Sequence, residues 1–223
     1  MKKLLFFALM TIGFLTLQTS CSKDEDDTNN NTPTCTDGIQ NGTETGVDCG
    51  GSCSACVLTG NYFQALINGA TFQTNSYNGF ADGGVFGPTG TTYNAKNGGV
   101  WTNSSFDEIV VIYIIKTFAT SSLPSVSQID GMFHTGSYNF GENDYPNFTD
   151  GAYIEWKDEA NGKVWTTNGN QSGSTFQITS RTSNNGSGYI TIEGSFSCKL
   201  YDSSGNQITA TNGTFKTKAS LNP

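Results

Sequence analysis

The sequence predicts an all-β protein, an antiparallel β-sandwich or barrel-like domain preceded by a small disulfide-stapled loop segment. From about Tyr62 onward, short runs rich in β-branched and aromatic residues recur at strand length. Clusters of Gly, Asn and Ser separate these runs and supply the turn chemistry. No ten-residue stretch carries apolar side chains at helical period, and no fixed spacing repeats as it would in a solenoid. About eight short strands joined by tight turns close most simply as a sandwich or barrel.

The elements follow in chain order. Phe63–Ile67 and Ala70–Thr74 flank Asn68-Gly69, whose two residues both tolerate the positive φ that a two-residue hairpin turn requires. Ile109–Ile115 is a continuous apolar, β-branched run and predicts a central strand covered on both faces. In a helix, those β-branched side chains would crowd the preceding turn. Tyr153–Lys157 alternates, turns near Asn161-Gly162 and returns along Lys163–Thr166. A two-residue turn there would put Trp165 opposite Asp158, on the same face as Ile154 and Trp156. Thr175–Ser183, Tyr189–Tyr201 and Gln207–Thr217 complete the strands, with turns at Asn184-Asn185-Gly186 and Ser204-Gly205-Asn206.

Three segments precede this β domain, which is taken as residues 57–223. Residues 1–20 combine basic Lys2 and Lys3, an apolar run from Leu4 to Leu17, and Thr19 and Ser20 directly before Cys21. These are the three parts of an export signal. The apolar run is shorter than the roughly 20 residues of a membrane-crossing helix. A cysteine at the expected cut resembles the lipobox of bacterial lipoproteins. Leu17 stands four residues before Cys21, where that family prefers three, and looser boxes of this kind are usual in the Bacteroidota. The resemblance implies a thioether-linked lipid on Cys21, membrane attachment through it, and Cys21 as the first mature residue. Ser22-Lys23 followed by Asp24 to Asp27 is similar to the lysine-plus-acidic tag that sends Bacteroidota lipoproteins to the outer face of the outer membrane. Residues 21–34, acidic and then Asn-rich, read as a flexible tether.

Residues 35–56 hold four of the six cysteines: Cys35, Cys49, Cys53 and Cys56. The pattern is similar to a short cysteine-rich module that recurs in secreted bacterial proteins between tether and domain. A segment this short cannot build a core, so cross-links must order it. Four cysteines in an oxidising compartment imply two disulfides, and three pairings are open. Four thiolates are also a zinc set, which an exported location disfavours. Asp37, Asn41, Glu44 and Asp48 gather oxygen ligands in a Gly-containing loop and make a candidate calcium site. The same side chains can instead cap the loop's own amides. Cys198, the remaining cysteine, reads as a small buried hydrophobe.

Several elements of the domain resemble a family of small β-sandwich-like Bacteroidota lipoproteins. They are the opening hairpin, Gly136-Ser137-Tyr138, Thr175–Thr179, Gly194–Ser197 and Thr211–Lys216. The resemblance covers most of Asn61 to Ala219 and implies the fold without naming an activity.

Charge excludes one class of function. Removing Lys2 and Lys3 leaves nine basic against 19 acidic residues, a net charge of −10, which repels nucleic acid. Catalytic constellations are also missing: there is one histidine, His134, and no nucleophile elbow. His134 reads as a turn or strand-end residue. Glu142, Asp144, Asp150, Glu155, Asp158 and Glu159 leave a glycan hydrolase formally open, with nothing in the sequence to pair them. Tyr138, Phe140, Tyr145 and Phe148 cluster in a polar, Gly-rich stretch and are the candidate ligand-binding residues, since exposed aromatic faces suit sugar rings. They could equally close the end of the core, as could Trp101, Trp156 and Trp165. The expectation is a non-enzymatic, surface-exposed lipoprotein that binds a ligand, carbohydrate foremost, with an envelope structural or adhesion role as the alternative.

Overall fold

The computed structural model describes residues 35–36, 42–43, 51–54, 59–75, 77–80, 84–89, 92–144, 147–183 and 188–222. Cys21, the tether, Cys49, Cys56, the calcium candidates Asp37, Asn41, Glu44 and Asp48, the Asn184–Gly186 turn and Tyr145 lie outside the described residues.

In chain order the strands are β1 (Tyr62–Ile67), β2 (Ala70–Thr74), β3 (Tyr77–Phe80), β4 (Val85–Thr89), β5 (Thr92–Thr102) and β6 (Glu108–Ala119). A six-residue helix, α1 (Val126–Gly131), follows. Then come β7 (Gly136–Tyr138), β8 (Gly151–Asp158), β9 (Lys163–Thr166), β10 (Thr175–Ser183), β11 (Tyr189–Tyr201) and β12 (Gln207–Ser220). Hydrogen bonding runs β2-β1-β12-β11-β9-β8-β6-β5-β3, with β10 beside β11, β7 beside β10 and β4 beside β5. The named strands pair antiparallel, so the anticipated fold class holds.

The path folds over into two faces. One half holds β2, β1, β12, β11, β10 and β7; the other holds β9, β8, β6, β5, β3 and β4. A single residue pair, Tyr201↔Thr166, joins them along the β11–β9 step. The faces meet across one apolar core: the Trp101 ring of β5 lies 5.7 Å from Phe63 of β1. Buried Asn97 of β5 donates from Nδ2 to the Ser220 carbonyl of β12 at 2.9 Å, and its Oδ1 accepts from the Ser220 amide at 3.3 Å.

Alternation builds the first half. Every second residue of β11 from Ile190 to Leu200 is buried, so the strand turns one row inward. Two glycines in this region have a packing cause. Gly194 pairs with Phe215 and Gly213 pairs with Phe196. A Cβ on Gly194 would meet the Phe215 ring at 2.5 Å, and one on Gly213 would meet the Phe196 ring at 2.3 Å. Each phenyl therefore lies over the glycine of the opposite strand, where no side chain blocks it.

The Asn68-Gly69 turn forms as expected: Ile67 pairs with Ala70, with φ of 49° and 82° at the two turn residues. The β8–β9 connection is longer than a two-residue turn. Asp158 Oδ1 accepts from the Asn161 amide at 3.1 Å and Oδ2 accepts from Asn161 Nδ2 at 2.7 Å. This winds Glu159–Asn161 into a 3-10 turn that Gly162 closes in the left-handed conformation. Trp165 therefore pairs with Trp156 and not Asp158. The slip is two residues, an even number, so each side chain keeps its face.

β6 is covered on both sides, as its composition requires. Val110, Ile112 and Ile114 enter the main core, while Val111, Tyr113 and Ile115 form a second buried cluster with Tyr153. Phe148, from the loop after β7, packs on that second cluster.

Ahead of the domain, Cys35 and Cys53 form a disulfide. The bond consumes two of the four thiols that a zinc site would require. Among the described residues no helix is long and apolar enough to cross a membrane.

Candidate binding cleft

A cleft opens at the rim of the sandwich, where β6 ends and α1 and β7 begin. β6 ends at Ala119, and helix α1 starts after Pro124, where Ser125 supplies a capping box. The Ser125 hydroxyl accepts from the Gln128 amide at 3.3 Å, and Gln128 Oε1 accepts from the Ser125 amide at 2.9 Å. Ile129, Met132 and Phe133 are buried in the main core and anchor the helix. The chain then turns at His134 and joins β10 through β7, with Tyr138 opposite Phe176.

Tyr138 is the pivot of this rim. Its hydroxyl lies 2.8 Å from the Met132 carbonyl and 2.7 Å from the His134 carbonyl, so its single proton is donated to the loop it supports. Burial pushes the phenol up to about 12, which keeps that donor protonated across the ordinary pH range. The exposed His134 ring stacks on Tyr138 at 4.5 Å and 19°. On its other side Tyr138 meets Phe176 edge-on, and Phe140 does the same at 6.1 Å.

The cleft has a volume of about 480 Å³. Its apolar wall includes Ile115, Phe118, Met132 and Tyr138, and its polar rim includes Lys116, Gln128, His134, Asn139 and Asp150. Asp150 is tied down on two sides: it pairs with Lys116 and accepts from the Thr117 amide at 2.6 Å. A second cavity of about 460 Å³, lined by Asp130, Phe133, Thr135 and Arg181, shares Gly131 and His134 with the first. There Arg181, from β10, pairs with Asp130 of α1. Partly exposed pairs of this kind stabilise little, by about 1 kcal/mol. Their consequence is to hold charged hydrogen-bonding groups at the cavity walls.

The three described aromatic candidates do not share one face. Tyr138 lines the cleft, and Phe140 packs against the main core beside it. Phe148 goes to the second cluster, where Lys96 Nζ lies 5.9 Å from its ring and 4.9 Å from that of Tyr113. Of the tryptophans, Trp101 and Trp165 are buried core. His134 lies in the short loop between α1 and β7, and it lines both cavities. Cys198 is buried, and burial raises its thiol well above the usual range, so it stays protonated.

Sequence reasoning missed Lys116, Gln128, Gly131 and Arg181. A signal for α1 was present in Ser125-x-x-Gln128 directly after a proline. Arg181 carries no local signal, because only strand pairing brings it to α1. Among the described residues, no group of three or more His, Cys, Asp or Glu side chains could hold a metal ion. Comparison with protein-family models, curated proteins and solved structures finds no match to this chain.

Proposed function

We propose that this chain is a lipid-anchored protein of the outer-membrane surface whose β domain is a non-enzymatic carbohydrate-binding module, with the α1–β7 cleft as its binding site. One observation carries the reading. The cleft sets an apolar wall with the His134–Tyr138 stack against a rim of fixed hydrogen-bonding groups. A sugar ring has that double character, an apolar face edged by hydroxyls. Among the described residues each cavity is lined by one carboxylate, Asp150 or Asp130, and each of these is engaged by a cation. Such placement favours hydrogen bonding to hydroxyls over a free acid and base pair. Lipid on Cys21 and the acidic tag supply the address, and the Asn-rich tether supplies reach.

The test is a glycan-array screen of the exported chain without its lipid, beside His134→Ala. Binding by the parent chain and at least about tenfold weaker binding by the variant at unchanged urea midpoint support the reading. No binding to any glycan, or equal binding by both, contradicts it. Failure of Cys21→Ser to abolish incorporation of a labelled fatty acid would remove the anchor.

A second reading, an envelope structural or adhesion component, has its own observation. Gln73, Gln64, Thr214, Ser195 and Gln177 pair in one transverse row across β2, β1, β12, β11 and β10. This row sets hydroxyls and amides side by side on neighbouring strands, and glycan or protein contact mapped there would favour adhesion.

A further inference from the structure

Gly131 has no structural reason to be glycine. Its φ is not positive, and a Cβ built on it would meet nothing within 4 Å. It is the last residue of α1 and not the left-handed residue that ends many helices; the C-cap is Met132, at φ −65°. Glycine in a helix costs up to about 1 kcal/mol relative to alanine. The position is exposed, and it lines both rim cavities, as among the described residues only His134 does besides.

We infer that the two cavities act as one groove passing over Gly131, and that the groove takes an elongated ligand, an oligosaccharide of at least two units. The inference rests on the carbohydrate reading above and deepens it. One unit lies against the Tyr138 wall beside Lys116 and Asp150. The next lies beyond the His134 ridge, against Thr135 and the Arg181–Asp130 pair. Each cavity supplies one cation and one carboxylate, so each end offers both donors and acceptors to sugar hydroxyls. The missing side chain at residue 131 leaves the crossing open. A helix-favouring residue there would stabilise α1 and obstruct the ligand.

The experiment measures binding of the exported chain to gluco-, xylo-, manno- and chito-oligosaccharides of one to six units, alongside Gly131→Ala and Gly131→Trp, with melting temperatures for all three proteins. The expected result is affinity that rises at least about tenfold from one unit to several, corresponding to about 1.4 kcal/mol. Gly131→Trp abolishes that gain, so its affinity for the longer members of the series lies within about twofold of its own affinity for one unit. Gly131→Ala melts at the same temperature or a few degrees higher, so the fold is not what the glycine serves. Affinity independent of length, or a length dependence that Gly131→Trp leaves intact, overturns the groove and leaves the carbohydrate reading standing. Binding to no series overturns both.

Discussion

The β10–β12 half of the sandwich and the α1–β7 rim are built on different terms. In the first, one strict alternation runs the length of β11, and Phe63, Phe176, Phe196 and Phe215 share a ring cluster with centroids 5.4–6.5 Å apart. In the second, a six-residue helix and a three-residue strand hang on Ile129, Met132, Phe133 and one tyrosine hydroxyl. Stability is concentrated where the pattern is regular. The polar cavities lie where it lapses, on short elements held by a rigid sheet.

The contrast can be broken by substitution. Phe215→Ala, in a fully buried ring cluster, is expected to lose about 3–5 kcal/mol by urea denaturation, far more than any rim variant. Gly194→Val drives a side chain into the Phe215 ring and the Gln177 carbonyl, and is expected to lose about 1–3 kcal/mol. Tyr138→Phe removes only the rim hydroxyl and is expected to lose about 1 kcal/mol. Its pH dependence sharpens the point. The folded phenol titrates at about 12, above the ordinary value of about 10, so its contribution is complete below pH about 10 and is lost as pH rises towards 12. Tyr138→Phe should therefore flatten part of the alkaline decline in urea midpoint. Tyr153, whose phenol is also raised by burial, accounts for part of what remains. Cys35→Ser with Cys53→Ser should leave the domain's melting temperature unchanged, because the disulfide closes a loop wholly ahead of β1. Limited proteolysis should then cut residues 35–56 faster.

The same contrast explains what was legible in the sequence. β11 begins and ends where its alternation does, β10 keeps its expected ends although its alternation stops near Ile178, and β12 runs three residues past its expected end to Ser220. β6 is longer than its apolar run but is buried on both faces as that run implies. β5 carries no comparable signal. Asn94, Lys96, Asn97, Gly98 and Gly99 are poor strand formers, and β5 is a strand because it pairs with β6 along its whole length and is held by Asn97 against Ser220. The candidate site was half visible. Tyr138 was singled out and lines the cleft, but its companions Phe140 and Phe148 face two different cores. A cluster of aromatics in sequence says nothing of which layer each ring joins, because a turn separates the residues. Lys116 meets Asp150, just ahead of β8, and Arg181 meets Asp130 of α1, and only the tertiary arrangement brings these pairs together across the chain.

The central claim is that the rim binds and the polar row across β1, β12 and β11 does not. The most direct measurement is to titrate the best oligosaccharide from the array into the 15N-labelled protein and follow backbone amides. The account predicts the largest shifts at Gly131, His134, Ser137 and Tyr138, with Ser195 and Thr214 unmoved. Shifts centred on Ser195 and Thr214 with the rim unmoved would contradict it.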